Sequence, residues 1–355
     1  MNNNKINVAI LGATGSVGQK FIELLSNHPW FNIAELAASD RSAGKKYSEA
    51  TNWIMQTHLD KNIAEMIVQP CEPKLKSKIV FSALDASVAG EIEEAFAKNG
   101  YAVISNARNH RFDEDVPLVI PEINPEHLDL IYHQKFGGGF IVTNPNCSTI
   151  GLAMALKPLY DKFEIESVNV VTMQAVSGGG YPGVPSMDII DNVIPFIGGE
   201  EDKMEKEPRK ILGQLKNNKI EFADFKISAS CNRVAVIDGH TEVVQIKFKN
   251  KPIKDEIINA WNNFSSEPQK FNLPFAPMNP VIYLENEKYP QPKLHRNLDK
   301  GMAVSIGRLR DCPIFDYKFV LLSHNTIRGA AGGTILIAEL LKAKGYLEKY
   351  LWIKV

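Results

Sequence analysis

Apolar residues fill positions 6–11 almost without interruption, and Phe21, Ile22, Leu24 and Leu25 then recur at helical spacing. Between them lies Gly12-Ala13-Thr14-Gly15-Ser16-Val17-Gly18. The pattern predicts strand, glycine turn, helix, and an apolar run over 33–38 supplies the second strand of a βαβ unit. Residues 79–83, 101–105 and 140–143 read as further strands, with a helix over 91–98. Such alternation assembles into a doubly wound parallel sheet, here ending near Thr143.

The texture changes from Ile165 onward. Longer strand patterns occupy 168–176, 227–237, 242–248, 303–310 and 318–323, with a helix near 254–264, which predicts an α+β domain with a largely antiparallel sheet. The intervening loop, 177–199, contains Gly178-Gly179-Gly180 and Pro182-Gly183-Val184-Pro185. Structureless stretches of that length usually carry function. Its apolar residues Met187, Ile189, Ile190, Val193, Ile194 and Phe196 suit either a subunit contact or a helical core face. Gly329-Ala330-Ala331-Gly332-Gly333 opens an apolar C-terminal helix whose small residues suit close packing on the first domain.

Chemistry concentrates at Asn144-Pro145-Asn146-Cys147-Ser148-Thr149, which joins the 140–143 strand to helical spacing at Ile150, Leu152, Ala153, Leu156 and Leu159. Cys147 therefore falls at or just before a helix N-terminus, where unpaired amides and the helix dipole favour a thiolate. A cysteine there is either a nucleophile or a small buried hydrophobe. A nucleophile needs a proton partner, and Arg233 and His240 stand seven residues apart on a predicted strand and Gly turn that exposes the imidazole. A surface histidine with a structural arginine is the competing reading.

Composition narrows the class. The 355 residues suffice for two domains, and 44% apolar with 23% charged residues is an ordinary globular balance. Forty basic against 41 acidic residues leave a net charge of −1, which gives no general attraction to nucleic acid or membrane. The polar start, residues 1–4, and the lack of a spanning apolar stretch point to a cytoplasmic protein. Cys71, Cys147, Cys231 and Cys312 are too scattered for a disulfide framework or zinc site, and His110, His127 and His133 read as solvated or capping, so no metal is expected.

The glycine turn is of the dinucleotide-binding kind, with the pyrophosphate resting on the helix N-terminus. Asp40 stands where an acid would hold the ribose 2′-OH of NAD, whereas Ser39, Arg41 and Ser42 suit the 2′-phosphate of NADP.

Five features carry a resemblance: the glycine string, the Asn144-to-Thr149 segment, the Arg233-to-His240 spacing, Gly199-Glu200-Glu201-Asp202-Lys203, and Asn325-Thr326-Ile327-Arg328-Gly329-Ala330-Ala331-Gly332-Gly333. Together, and in order over nearly the whole chain, they resemble aspartate-semialdehyde dehydrogenase, most closely its archaeal and fungal branch. The resemblance implies an NADP-dependent enzyme of amino-acid biosynthesis (diaminopimelate, lysine, threonine, methionine). It would reduce L-aspartyl 4-phosphate reversibly to L-aspartate 4-semialdehyde through a thioester on Cys147. His240 would be the acid/base and Gln174 would orient the substrate. Arg233 would grip the α-carboxylate, and Glu200 or Glu201 the α-ammonium. Lys203 and Arg111, with Arg108 as helper, would bind phosphate, and Asn146 would complete the substrate set.

Cofactor contacts implied in the same way are Gly12, Thr14, Gly15, Ser16, Val17, Gly18, Ser39, Arg41, Ser42, Ser82, Ser177, Gly178 and Asn325. The implied division is a Rossmann-type NADP domain over 1–146 joined by 328–355, and a catalytic and dimerisation domain over 147–327 with a mixed sheet, in a homodimer or homotetramer. Three rivals remain. Malonyl-CoA reductase has no need of Glu200, Glu201 and Lys203, N-acetyl-glutamyl-phosphate reductase has no use for the acidic pair, and a non-catalytic NADP-binding regulator has none for a thiol with its base.

Overall fold

The computed structural model describes residues 5–351, so the polar start and the last residues of the C-terminal segment lie outside it. The chain forms two compact units. The first takes the chain up to Val119, Glu126–Asn144 and the chain from Thr334 onward; the second takes Ile120–Pro125 and Pro145–Gly333.

In the first unit β1 (Ile6–Leu11), β2 (Phe31–Ala38), β3 (Gln69–Pro70), β4 (Ile79–Ser82), β5 (Ala102–Ser105) and β6 (Phe140–Thr143) form a sheet in the order β3-β2-β1-β4-β5-β6. Every pairing is parallel. The inner strands are buried on both faces, as the 0% exposure of Val80, Phe81, Val103 and Ile104 shows, which is why they are unbroken apolar runs and do not alternate. Strand order reverses between β1 and β4, and the glycine loop follows β1 at that switch point. The helix Gly332–Ala343 belongs to this unit from Thr334 onward. Its Glu339 Oε1 lies 2.7 Å from His28 Nε2 with both side chains fully buried, and its Lys342 Nζ stands 3.8 Å from the Trp30 ring centroid.

The second unit is built on β7 (Ile165–Gln174), the hairpin β8 (Gln214–Lys216) and β9 (Lys219–Glu221), then β10 (Lys226–Arg233), β11 (His240–Phe248), β12 (Val281–Leu284), β13 (Val304–Asp311) and β14 (Tyr317–Ser323). Its main sheet runs β10-β7-β11-β14-β13-β12. β7 with β10 and β12 with β13 are parallel, and the other pairs are antiparallel. β10 stops at Arg233, short of the predicted 237, because the chain turns back through Gly239, at φ +100, to begin β11.

The helix Cys147–Tyr160 covers one face of this sheet. Ile150, Leu152, Ala153, Met154, Ala155, Leu156 and Leu159 are all at most 1% exposed, so its burial is all-round and not amphipathic. Trp261, fully buried on the helix Lys254–Asn262, donates its indole N–H to Ala155 O at 2.9 Å. The edge strand β10 is closed by the helix Glu200–Ile211: Glu205 accepts from the Ala229 N–H and Glu201 from the Cys231 N–H, both at 3.1 Å. Ile194 pairs with Arg233 at the end of that edge. Among the described residues no helix is long and apolar enough to cross a membrane.

One buried ion pair ties the excursion Ile120–Pro125 into this unit. Arg328 donates Nη1 to Glu122 Oε1 at 2.7 Å and Nη2 to Oε2 at 2.6 Å, with both side chains at most 1% exposed. Removing one partner strands a buried charge, which costs about 3–5 kcal/mol. Urea denaturation of Glu122→Ala is expected to show a loss of that size.

Candidate active site

Sheet topology brings the predicted polar residues of the second unit to one end. β7 and β10 are parallel and pair Gln174 with Arg233 at their last residues; β11 runs back antiparallel from His240, its first. His240 shares its sheet face with Glu242, Val244 and Ile246, the side covered by the Cys147–Tyr160 helix.

Asn146 caps that helix. Its Oδ1 accepts from the Ser148 and Thr149 amides at 3.0 and 3.3 Å, and its Nδ2 donates to Glu200 Oε2 at 2.9 Å. Its backbone N–H donates to Glu207 Oε2 at 2.7 Å. The half-buried Cys147 Sγ lies 3.2 Å from His240 Nε2, and the Ala175 N–H donates to His240 Nδ1 at 3.0 Å. Arg233 is 6% exposed and donates from Nη1 to Ala175 O at 2.8 Å. At Gly178 a Cβ would come within 2.8 Å of Arg233 Nη1 and 3.1 Å of His240 Cε1, so the loop closes on both groups only because that residue has no side chain.

The imidazole is not exposed by its turn, contrary to the sequence expectation: His240 is 0% exposed. Burial, then the Arg233 charge and His324, pushes it down to about 3, so the ring is neutral at physiological pH. Glu200 keeps its charge. Burial opposes ionisation, but the Lys203 ammonium and bonds from Asn146 and Gln174 outweigh it and hold the carboxyl below its usual range. Lys203 Nζ stands 2.5 Å from Glu200 Oε1, and Gln174 Nε2 donates to Oε2 at 3.2 Å.

Of the expected acidic pair, only Glu200 joins this cluster. The carboxylate of Glu201 is engaged by the β10 backbone, as helical geometry allows, since neighbouring residues point about 100° apart. Ser177 and Asn325 also belong to the second unit, where Asn325 Nδ2 donates to Ser177 Oγ and its Oδ1 accepts from the Gly239 N–H, each at 2.8 Å.

The remaining predicted contacts lie in the first unit. Gly12 takes φ +73, and a Cβ there would meet Ala83 O at 2.6 Å. Gly15 caps the helix Ser16–Leu25 without a side-chain bond, leaving its first amides open to an anion, as a pyrophosphate site requires. Thr14, Ser16 and Val17 are half-buried beside it, and Gly18 packs on Gly12 and Ala13. The exposed Ser39 and Asp40 help line a cavity of ≈ 260 Å³ with Cys71, Glu72, Leu84 and Val88. Arg41 and Ser42 are outside that lining, Arg41 exposed and Ser42 buried.

Ser82 is fully buried, and its hydroxyl donates to Glu93 Oε1 at 2.5 Å, so its side chain is engaged within the first unit. Arg111 is 6% exposed and donates Nη2 to Asn106 O at 3.1 Å, whereas Arg108 is exposed. His110 and His127 are buried, 4% and 0% exposed, so of the two expected readings, solvated or capping, the solvated one does not hold for them; His110 Nδ1 lies 2.7 Å from Asp113 Oδ2.

Two protein-family models match the chain: the NAD binding domain of semialdehyde dehydrogenase over residues 7–131 and the dimerisation domain of semialdehyde dehydrogenase over 156–328. The chain is 50% identical over 341 residues to the aspartate-semialdehyde dehydrogenase of Archaeoglobus fulgidus, covering 95% of this chain and 98% of the relative. It is 50% identical over 352 residues to that of Schizosaccharomyces pombe, covering 96% and 99%. The chain belongs to the aspartate-semialdehyde dehydrogenase family. Among solved structures of the family, the Candida albicans enzyme with NADP superposes with a TM-score of 0.89 at 44% identity, covering 96% of this chain and 99% of that one. A Vibrio cholerae enzyme complexed with ASA gives 0.76 at 26% identity, covering 95% and 98%.

Two acids in this site escaped the sequence reading, although each carried a signal. Glu207 lies two helical turns from Glu200, on the same stripe. Glu242 lies two residues from His240, on the same strand face. Glu242 is 0% exposed, neither carboxyl oxygen has a hydrogen-bond partner, and burial raises it well above the carboxylate range, so it is neutral. The unfolded chain ionises this group near its ordinary value of 4.5 while the fold retains the proton. Its contribution to stability is therefore fully present below that pH and is lost as pH rises. Glu242→Gln is expected to raise the melting temperature by a few degrees at mildly alkaline pH, with the gain shrinking toward nil on acidification.

Proposed function

We propose that the chain catalyses the reversible, NADP-dependent reductive dephosphorylation of L-aspartyl 4-phosphate to L-aspartate 4-semialdehyde, with Cys147 as acyl acceptor. The observation that carries this reading is the Cys147 Sγ to His240 Nε2 approach of 3.2 Å at the head of a capped helix, with Arg233 and Glu200 built into the same cluster. An isolated structural cysteine needs no such company. The Cys147 thiolate attacks the acyl carbon, the C–S bond forms and phosphate departs, dividing one difficult reduction into two steps.

Arg233 holds the substrate α-carboxylate through its planar guanidinium, and Glu200 meets the α-ammonium. Gln174 orients the reacting group from beside Glu200. Lys203, beside Glu200, serves the phosphate. NADP rests its pyrophosphate on the open helix start at Gly15, with its adenosine end in the cavity beside Ser39 and Asp40. When bound, the nicotinamide supplies the hydride that reduces the thioester.

The working unit in this reading is a cytoplasmic homodimer, or a homotetramer built from one. Free thiols at all four cysteines suit a reducing compartment. Tyr181, Met187, Ile190, Val193 and Phe196, each 54–86% exposed, form an apolar surface within the segment that matches the dimerisation domain. Sedimentation is expected to give at least a dimer at micromolar concentration; a monomer would remove this surface from consideration.

The decisive assay follows reduced-cofactor absorbance with purified protein, semialdehyde, NADP and phosphate. Phosphate-dependent turnover that disappears in Cys147→Ser is expected, and malonyl-CoA-dependent oxidation of NADPH without semialdehyde activity would overturn the reading. Arg41→Ala is expected to raise KM for NADP far more than for NAD, whereas equal effects on both would remove Arg41 from the 2′-phosphate.

A further inference from the structure

Gly329 stands against the stem of Cys147. A Cβ at position 329 would lie 2.7 Å from Cys147 Cβ, 3.0 Å from its Cα and 3.2 Å from its carbonyl oxygen. These neighbours are main chain and the first side-chain atom, which cannot swing aside as the tip of a long side chain can. The sulfur is not among them. It points away from Gly329 and lies 3.2 Å from His240 Nε2, so the bare Cα of Gly329 closes a side of the stem that the sulfur leaves open.

The segment that carries Gly329 is wound wider than an α-helix. The Gly329 N–H donates to His324 O at 2.9 Å and the Ala331 N–H to Thr326 O at 3.2 Å, each reaching five residues back where an α-helix reaches four. Such turns, here Ile327–Ala331, are frequent at functional sites. Arg328 fixes this one from two directions. Its guanidinium forks onto Glu122, and its Nη2 stands 3.3 Å from Met154 Sδ, two turns beyond Cys147 on the same helix. The turn is thereby held in register with the helix whose first residue it touches.

We propose that Gly329 is a positioning residue for the reaction: its bare Cα, held in place by Arg328, walls the stem of Cys147 and keeps Sγ within reach of the imidazole. This rests on the reading of Cys147 as acyl acceptor. A side chain at 329 must displace either the helix start or the turn, and the sulfur moves with its stem. Misplacing reacting groups by ~1 Å costs on the order of a hundredfold in rate. Arg233, Gln174 and Glu200 stand on β10, β7 and the helix Glu200–Ile211, so the loss falls on kcat and not on KM. Gly332, the residue after the same turn, is crowded to a similar degree by atoms other than Cys147. A Cβ there would lie 2.8 Å from Met302 Sδ and 2.9 Å from both Ile327 Cγ2 and Ile327 O, which makes it the control for packing alone.

Crystal structures and steady-state kinetics of Gly329→Ala and Gly332→Ala test the proposal. In Gly329→Ala the Sγ-to-Nε2 distance is expected to lengthen past hydrogen-bond reach and kcat to fall about ten- to a hundredfold, with KM for semialdehyde, phosphate and NADP little changed. Gly332→Ala is expected to lower the melting temperature while keeping kcat. An unchanged Sγ-to-Nε2 distance or an unchanged kcat in Gly329→Ala would overturn the proposal, and equal losses of kcat in the two variants would reduce Gly329 to packing. If Gly329→Ala yields no folded protein, Arg328→Lys decides, because it keeps the buried charge and loses the fork. Its kcat is expected to fall at constant KM; an unaltered kcat would remove the turn from any positioning role. Absence of semialdehyde activity in the wild-type chain would defeat the proposed reaction, while the Sγ-to-Nε2 distances would still decide whether Gly329 places the sulfur.

Discussion

Asn146 divides its amide between two tasks, and the polar cluster of the second unit depends on that division. The oxygen end accepts two amides at the start of the Cys147 helix, which orients the helix and the sulfur on its first turn. The nitrogen end is held by Glu200, itself tethered to Gln174 and Lys203. The Glu207 bond to the Asn146 backbone adds a third constraint. A side-chain cap is worth on the order of 1 kcal/mol to a helix, but here the same residue also fixes the helix start that brings Cys147 Sγ to 3.2 Å from His240 Nε2.

Around this cluster the fold tolerates polar groups that add nothing to a core. His240 is neutral where it is buried, Glu242 keeps a proton it would lose in water, and Arg233 stays charged at the edge of the apolar interior. Each carries a desolvation cost that a leucine would avoid. Such costs persist where fixed dipoles and charges serve a reaction, because groups oriented in advance need no rearrangement when charge develops. The buried apolar residues of the Cys147 helix and the aromatic packing at Trp261 contribute stability that offsets them.

Much of the fold was legible from periodicity. The unbroken runs of β1 and β4 and the switch from parallel to longer strands near Ile165 carry a long-range pattern that burial imposes on composition. Less legible were elements defined by partners and not by composition: β12, four residues long, and the β8–β9 hairpin, whose signal was only Asn217-Asn218, both at positive φ. At the site, Cys147, Arg233 and His240 could be singled out because strand ends, turns and helix starts are visible in sequence, whereas Gln174 came only with the family resemblance. That Glu200 and not Glu201 turns inward, that His240 is fully enclosed and that Ser82 is engaged by Glu93 depend on rotation about a helix or contact across a sheet, which a linear pattern does not encode.

The closure of β10 has a consequence beyond the polar cluster. Glutamates four residues apart on one helix bond alternate amides of the strand, and Ile194 engages Arg233 at its end. A strand whose amides at Ala229, Cys231 and Arg233 already have acceptors is a poor template on that side for another chain to extend the sheet. An added strand would have to displace those acceptors first, so extension of the sheet across β10 carries the cost of breaking hydrogen bonds already made.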